Sequence, residues 1–451
     1  MVNLLFKKLI TLGGIIILLL VAISMTTGII SERSRYQNEA RNNIANSWTR
    51  SQQITGPFLV LPYLVKVETE IWDELNQKKS LKTELQQREL FVLPNTLEIG
   101  GDVQAELRSR GIYKLPVYTS KLKFSGEFER SVIEERKKSV TNAERWGGPY
   151  LAVMINDIRG IVSHPQLFWQ EQKYAFKANN LGGDIPQNIQ AALELSEAAS
   201  YDFKFDLDLR GSENLSFTPI AANTTVALTS NWQHPSFNGM YLPANSTINA
   251  EGFNANWQLS SFSGNLEVPL QSCAIGQCRA LSAHNFGVSL LEALNIYHLS
   301  ERSTKYGILF ISLTFIAFLV YEITKKQAIH PVQYLLVGLA LAMFYLLLIS
   351  LSEHLAFAYA YLSAASACTG LLAYYLIAVL KNTKAGVLFA AMLGLLYGLL
   401  YIILNSEETA LLMGSGVLFL MLALLMGVTR HIDWYALESK TGELAVDGPA
   451  Q

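Results

Sequence analysis

Few residues in this sequence have types and spacing that could do chemistry. Within the apolar C-terminal part, Ser352-Glu353-His354 is a polar group between two apolar runs. One interpretation is a Glu–His pair that faces an extracytoplasmic domain or ligand and responds to pH, because histidine titrates near neutrality. The other is a tight hairpin turn whose side chains meet lipid headgroups and water.

The usual catalytic and nucleotide-binding motifs are missing from the sequence. It contains no G-x-S-x-G, no H-E-x-x-H, no Walker loop and no dinucleotide-binding fingerprint. His164, His234 and His284 are dispersed, so we interpret them as turn or surface residues. The sequence predicts no catalytic residue, no metal site, no cofactor and no enzymatic activity. Catalytic acids that meet only in the folded chain would leave no such motif.

Two of the three cysteines lie close together in a polar segment. Cys273 and Cys278 are separated by a stretch that contains Gly276, and a turn there could bring their Cα atoms within bonding range. In an oxidising compartment we expect them to form a disulfide. Free thiols or a bound metal are the alternatives. The third cysteine, Cys368, lies in an apolar run.

Gly394 and Gly398 form a small-xxx-small pattern within an apolar run. This spacing places both glycines on one face of a helix and lets a second helix approach closely. We predict packing against another helix of the same chain, with dimerisation as the alternative.

Composition indicates a membrane protein. Half of the residues are hydrophobic and 16% are charged, against about 25% charged residues in a typical soluble domain. The net charge of −2 indicates no basic surface, so nucleic acid is not an expected partner. Apolar runs of about 20 residues can cross a bilayer as helices. Six such runs cover residues 9–30, 306–323, 332–351, 355–380, 385–404 and 410–428.

Basic residues flank these runs on one side only. They are Lys7, Lys8, Lys325, Lys326, Lys381, Lys384 and Arg430. The positive-inside rule therefore predicts cytoplasmic termini and an external segment at residues 31–305. A signal peptide cleaved near Ala22-Ile23-Ser24 is the alternative for the first run, although its apolar character continues to Ile30. The last four runs contain no ionisable residue, which argues against secondary active transport.

Residues 31–305 have the pattern of a β-rich domain. A stalk helix packed on this domain is expected at residues 33–54, and its apolar face recurs at every fourth position, at Tyr36, Ala40, Ile44 and Trp48. Strict alternation in YDFKFDLDLR predicts a strand buried on one face. Similar short runs between turn residues favour a large antiparallel sandwich. We expect a helix at residues 187–199 and a charged, exposed excursion at 131–144.

Several long stretches carry a family resemblance. They include EARNNIANSWTRSQQITGPFLVLPY, NDIRGI, HPVQYLLVGLALAMFYLLLISLSEH and EETALLMGSGVLFLMLALLMGVTRHIDWY. From about residue 31 to residue 435 the chain resembles the CreD family of bacterial inner-membrane, cell-envelope integrity proteins. The resemblance implies an envelope-stress component, induced through a two-component system and linked to colicin tolerance and wall-active antibiotics. It implies no known reaction.

Together these patterns predict an α+β membrane protein of the bacterial inner membrane. Its expected parts are a cytoplasmic N-terminus with one transmembrane helix (1–30), a large antiparallel β-rich periplasmic domain (31–305), a five-helix C-terminal transmembrane bundle (306–428) and a cytoplasmic tail (429–451). The expected function is non-enzymatic support of envelope integrity. Membrane lipids and a periplasmic protein, lipid or cell-wall partner are the expected contacts. An enzyme acting on lipid-linked or cell-wall material and a passive transporter or channel are the alternatives.

Overall fold

The chain folds into two compact units. The computed structural model describes residues 4–73, 78–179, 188–263, 266–274, 279–290, 296–325, 328–406 and 409–430. One unit comprises Met1–Asn38 with Leu294–Gln451, and its described elements are helices; the other, Glu39–Ala293, is rich in β-strands. A continuous helix, α1 (Leu4–Ser47), runs through the boundary at Asn38. The β-rich unit thus starts later and ends earlier than the 31–305 expected from hydropathy.

The apolar runs form helices. In chain order the helices after α1 are α2 (Arg130–Ser139), α3 (Glu267–Ala274), α4 (Arg279–Ala283), α5 (Ile296–Lys305), α6 (Gly307–Lys325), α7 (Pro331–Ser352), α8 (Phe357–Leu380), α9 (Thr383–Asn405) and α10 (Ala410–Thr429). Five helical stretches of the described chain are long and apolar enough to cross a membrane: Lys7–Ser47, Ile296–Lys325, Pro331–Ser352, Phe357–Leu380 and Thr383–Asn405. Within α10 the shorter apolar stretch Leu412–Ala423 is found, so a sixth crossing stays a prediction.

The β-rich unit consists of two sheets. Its strands are β1 (Gln52–Asp73), β2 (Lys78–Val92), β3 (Thr96–Arg110), β4 (Tyr113–Glu129), β5 (Ala143–Trp146), β6 (Tyr150–Ile155), β7 (Gln166–Trp169), β8 (Gln172–Ala175), β9 (Lys177–Asn179), β10 (Asn188–Ala192), β11 (Ser200–Ser212), β12 (Asn214–Thr218), β13 (Asn223–Ser230), β14 (Pro235–Gly239), β15 (Asn245–Asn249), β16 (Gly252–Ser260) and β17 (Phe286–Leu290). Among the described residues, one sheet has nine strands in the order β14-β17-β12-β1-β6-β10-β9, with β2 and β5 also paired to β1. The other has eight, in the order β15-β16-β13-β3-β4-β11-β7-β8. Pairing is antiparallel except for β1 with β12 and β3 with β13.

Strand β11 confirms the clearest sequence pattern. Its residues alternate between buried and exposed, and Phe203 and Phe205 are fully or almost fully buried. The acidic exposed row is matched by basic neighbours, since Asp206 lies opposite Lys123 and Asp208 opposite Lys121 on β4. Cross-strand pairs of opposite charge contribute a few tenths of a kcal/mol, up to about 1 kcal/mol each. The alternation therefore sets which face is buried, and the charge pairs support the register.

The predicted stalk helix is shorter than expected. α1 ends at Ser47 rather than at residue 54, and β1 begins at Gln52. The Gln52 side chain donates to the backbone carbonyl oxygens of Asp157 and Arg210, at 3.0 and 2.9 Å, which holds this segment in the sheet. β1 then continues through a cis Gly56–Pro57 bond. The free energy gained by pairing β1 within the sheet exceeds the small intrinsic helix propensity of its first residues.

One further local prediction was wrong. Residue 187 lies outside the described residues, and the rest of the predicted helix contains β10, which pairs with both β6 and β9. Its Ile189 and Ala191 are buried in the sheet, and this burial outweighs the helix preference of alanine. The charged segment predicted to be exposed at residues 131–144 is largely exposed or half-buried, and it contains α2, which Ile133, 1% exposed, anchors to the core.

The N-terminal helix is part of the bundle core. Leu12, Leu19 and Ile23 of α1 are buried in one cluster with apolar residues of α6 to α9. Leu19 is completely buried, and its side chain occupies the space that a Cβ atom at Gly338 of α7 would need. This packing explains why α7 has a glycine at a position where any larger residue would displace α1.

Candidate functional site

The predicted polar turn connects α7 to α8. Ser352, the last residue of α7, is buried and donates a hydrogen bond to the carbonyl oxygen of Ile349 at 3.0 Å. Glu353 is the C-cap residue, and α8 begins at Phe357. The two helices are therefore joined by a tight turn with Glu353 at its start.

The Glu353 carboxylate contacts two other helices of its unit. Tyr297 on α5 donates its hydroxyl hydrogen bond to Oε1 at 3.1 Å, and Nε of Arg33 on α1 lies 3.6 Å from the same oxygen. The Glu353 side chain is 11% exposed, whereas that of Arg33 is 47% exposed. An ion pair with a half-exposed partner contributes less than about 1 kcal/mol. We call Arg33, Tyr297 and Glu353 the turn cluster.

The turn cluster joins the two segments that lead into and out of the β-rich unit. Arg33 lies on α1 shortly before the boundary at Asn38, and Tyr297 lies on α5 shortly after the boundary at Leu294. The hydrogen bond from Tyr297 weakens steeply as it lengthens, and the ion pair with Arg33 weakens as the two charges separate. A displacement of either segment therefore changes the contacts of the α7–α8 turn.

His354 does not join this cluster. Its side chain is exposed, and its backbone N–H donates to the carbonyl oxygen of Leu351 at 3.1 Å. In the described part of the chain the recorded partners of the Glu353 carboxylate are Arg33 and Tyr297. The Glu–His pair considered from the sequence is therefore not among the recorded contacts, because Glu353 turns toward the bundle and His354 toward its surface.

A second polar cluster was missed by sequence reasoning. The ammonium group of Lys8 on α1 pairs with Glu322 on α6, and it donates to the carbonyl oxygen of Ile329 at 3.0 Å. Tyr334 on α7 donates to Glu322 Oε2 at 3.1 Å. The side chains of Lys8 and Glu322 are only 18% and 15% exposed. The signal was Glu322 itself, an acid at the end of an apolar run, which needs a partner when buried. We call these residues the Lys8 cluster.

The predicted glycine face lines a groove. Gly394 and Gly398 are exposed, and a Cβ atom built on either would meet no heavy atom within 4 Å. They border a groove of about 570 Å³ between α8 and α9. The contact between these helices is made instead by tyrosines, since Tyr361 donates to the carbonyl oxygen of Tyr397 at 2.7 Å and its ring lies tilted against that of Tyr401, with centres 5.1 Å apart. These bulky rings keep the glycine face open, so close packing within the described chain is not its role. Dimerisation stays a prediction.

Comparison with known protein sequences identifies the family of this chain. The family model for inner membrane protein CreD matches residues 4–435. A relative described as inner membrane protein CreD, from Escherichia coli (strain K12), is 36% identical over 443 residues, which cover 96% of this chain and 94% of the relative. The chain belongs to the CreD family. Membership and the long apolar helices together make this CreD-family chain a multi-pass inner-membrane protein.

Two motifs of the CreD-family chain have structural roles. In HPVQ, His330 is the N-cap of α7, Pro331 is its first residue, and Gln333 accepts the backbone N–H of His330 at 3.0 Å. This reciprocal capping satisfies backbone groups at the helix start. In NDIRGI, Asp157 accepts two hydrogen bonds from the Arg159 guanidinium, at 2.8 and 2.6 Å. These motifs therefore stabilise the fold. Within the described residues, no group of three metal-ligating side chains is present.

Asp157 leads to a pH-dependent prediction. Hydrogen bonds from Arg159 hold the pKa of its carboxyl group below the usual value, against an opposing contribution from burial. We expect Asp157→Asn to lower the free energy of unfolding by about 2 kcal/mol at neutral pH. A depressed folded-state pKa stabilises the fold above about pH 4, the unfolded value, and this advantage is lost as pH falls through the folded value.

Chemical denaturation of the full chain in detergent, at pH 7 and pH 3, measures this difference. Asp206→Asn is the matched control, because Asp206 is an exposed aspartate of β11. Its effect should stay below about 1 kcal/mol, the most that its charge pair with Lys123 contributes. An equal loss for Asp157→Asn at both pH values would contradict the assignment.

The cysteine pair remains a prediction of the sequence. Cys273 is 1% exposed near the end of α3, and Cys278 lies outside the described residues. We expect mass spectrometry of unreduced protein to find neither thiol alkylated, and reduction to lower stability by on the order of 2 kcal/mol because the closed loop is short. Cys368 is a buried free thiol and serves as an internal control that is alkylated only after denaturation. Alkylation of both Cys273 and Cys278 without reduction would refute the bridge.

Proposed function

We propose that this CreD-family protein supports envelope integrity without catalysing a reaction, by binding in the periplasm through its β-rich unit and coupling that event to the membrane bundle. The observation that carries the proposal is the turn cluster. Glu353 contacts both chain segments that connect the two units, through an ion pair with Arg33 and a hydrogen bond from Tyr297. A ligand that shifts either segment would change the arrangement of the α7–α8 turn, provided that it binds the shifted and the unshifted arrangement with different affinities.

The proposal includes an orientation. With the β-rich unit in the periplasm and both termini in the cytoplasm, the turn cluster faces the periplasm and the Lys8 cluster the cytoplasm. The positions of Lys7, Lys325, Lys381 and Lys384 support this orientation by the positive-inside rule. Lipids, a periplasmic protein or cell-wall material are the proposed partners.

Cysteine labelling tests the orientation. In a Cys368→Ala background, Arg110→Cys and His354→Cys should react with a membrane-impermeant maleimide in intact cells whose outer membrane has been permeabilised. Lys384→Cys should react only after the inner membrane is opened. All three positions are exposed, so burial does not prevent labelling. A cysteine that does not react in intact cells therefore lies on the cytoplasmic side of the membrane. Labelling of Lys384→Cys alone in intact cells would overturn the orientation.

Substitution of Glu353 tests the coupling. We expect Glu353→Gln to reduce tolerance of envelope stress while protein level and thermal stability stay nearly unchanged, because the half-exposed ion pair contributes little to stability. Arg33→Gln should have a similar effect, and the double variant should be no worse than either single one, since both remove the same contact. His354→Ala is the neighbouring control and should have a smaller effect because its side chain is exposed.

Two outcomes would count against this function. Full tolerance in the Glu353→Gln and Arg33→Gln variants would remove the coupling role. A single acid of the β-rich unit whose amide variant folds normally, abolishes tolerance completely and loses turnover of a wall or lipid substrate would favour the enzyme alternative.

A further inference from the structure

A small cavity lies on one face of the nine-stranded sheet, beneath α3. The strand registers define this face, because Phe58 of β1 lies opposite Ala152 of β6 and Asn188 of β10 lies opposite Met154. Side chains alternate along a strand, so the intervening residues, such as Val153, point to the other face and are buried there. From α3, Leu270 and Cys273 complete the lining.

Three polar side chains converge on this otherwise apolar cavity. Tyr150 donates its hydroxyl hydrogen bond to Glu89 Oε1 at 2.7 Å. Asn188 is 8% exposed, and its Oδ1 has no hydrogen-bond partner among the described residues. A buried acceptor without a partner costs about 1–3 kcal/mol, so this oxygen calls for a donor that the described residues do not supply. Burial and the bond to Glu89 raise the pKa of Tyr150, which keeps its phenol protonated as the donor to Glu89.

The groups that remain for a ligand are acceptors and aromatic rings. Glu89 contributes a carboxylate, Asn188 an amide oxygen, and Phe58 and Phe91 contribute rings whose centres lie 5.7 Å apart. The residues known to line the cavity include no lysine or arginine, so no cation of the described chain occupies it. Carboxylate, amide oxygen and aromatic rings together are the partners of an ammonium group.

We propose that this cavity binds the primary ammonium group of a small amine-bearing ligand. The inference rests on the proposed function, since it names the chemistry that the β-rich unit would recognise. The cavity volume is about 50 Å³. On the same measure, the space open to the centre of a water-sized probe, about 10–15 Å³ holds one water molecule. The cavity therefore admits an ammonium group with its attached carbon while the rest of the ligand stays at the surface. Two sources share this chemistry, an amino sugar and an ethanolamine headgroup.

Ligand-observed NMR on the full chain tests the proposal. The protein is placed in phosphatidylcholine nanodiscs, whose lipids carry no primary amine, and titrated with ethanolamine or with ethylene glycol, its neutral analogue. Ethanolamine should bind with a dissociation constant in the millimolar range, typical of so small a ligand, and ethylene glycol should not bind. Glucosamine and glycerophosphoethanolamine then distinguish the two sources, and tighter binding of either one supports the assignment.

Matched variants locate the binding site. Glu89→Gln and Asn188→Ala should weaken ethanolamine binding about tenfold, the effect of losing one charge-assisted hydrogen bond. Glu98→Gln and Asn254→Ala change exposed residues of the other sheet and should bind as the unchanged protein does. Thermal melting confirms that each variant is folded. No binding of ethanolamine, equal binding of ethylene glycol, or full binding by Glu89→Gln would overturn the proposal and leave a cavity that holds water only.

The outcome is separable from that of the proposed function. If ethanolamine does not bind but Glu353→Gln still reduces envelope tolerance, the ammonium site fails and the coupling function stands. If ethanolamine binds at Glu89 but Glu89→Gln leaves tolerance intact, the site stands and its place in the proposed function fails.

Discussion

Replacing Glu322 by alanine is expected to lower the free energy of unfolding of the helical unit by about 3 kcal/mol. The substitution leaves the Lys8 ammonium group largely buried, with the carbonyl oxygen of Ile329 as a recorded partner. Breaking a buried ion pair from one side costs several kcal/mol because the remaining charge is uncompensated. Replacing both members, as Lys8→Met with Glu322→Met, should recover most of the loss.

The buried thiol of Cys368 provides the measurement. It is 3% exposed within the helical unit, so a thiol-reactive dye reports unfolding of the bundle during heating in detergent. A loss of 3 kcal/mol in a unit of this size corresponds to a midpoint about 6–12 °C lower. Glu301→Ala is the matched control, because Glu301 pairs with Lys305 at 3.1 Å on the surface of the same unit. Equal shifts for Glu301→Ala and Glu322→Ala would contradict the buried-pair account.

Replacing Leu19 by alanine is expected to have a similar effect, with a loss of about 3 kcal/mol. Leu19 is completely buried against α7, whereas its neighbour Leu18 is 54% exposed. Truncation of Leu19 therefore leaves a cavity, while Leu18→Ala in the same helix removes only surface contacts and should shift the midpoint little.

The same dye assay compares the two leucine variants. The result also tests whether the first apolar run is a cleaved signal peptide. Cleavage would remove the helix that contributes Leu12, Leu19 and Ile23 to the bundle core and would expose that core. Recovery of the intact N-terminus by mass spectrometry should accompany the destabilisation. Equal behaviour of the Leu18 and Leu19 variants, or an N-terminus beyond Ser24, would favour the cleaved signal peptide.

Periodicity along the chain was a reliable guide where burial is continuous. The apolar runs became helices because a stretch of about 20 apolar residues has few alternatives to a buried or membrane-spanning helix. The alternation of β11 was equally informative, since Tyr201, Phe203, Phe205, Leu207 and Leu209 all point into one core. Trp257 of β16 is completely buried in the same core.

Periodicity failed where partners distant in sequence decide the conformation. Local patterns extended the stalk helix beyond Ser47 and assigned a helix to the region of β10. Both segments are strands because they pair on two sides within a sheet, and the free energy of that pairing exceeds the small differences in intrinsic helix propensity. For a related reason, the spacing of Gly394 and Gly398 shows that they share a face of α9 but not whether another helix covers it.

The sequence by itself determined the class of this protein: its apolar helices, its β-rich unit, its CreD-family membership and the polar turn at Glu353. These follow from composition, periodicity and long matched stretches, which are properties of neighbouring residues. Only the tertiary structure decided that Glu353 meets Arg33 and Tyr297, that Lys8 meets Glu322, and that Glu89, Tyr150 and Asn188 line one cavity. Such contacts join residues tens to hundreds of positions apart, and no local spacing encodes them. They exist because the packing of whole helices and sheets fixes where each side chain lies.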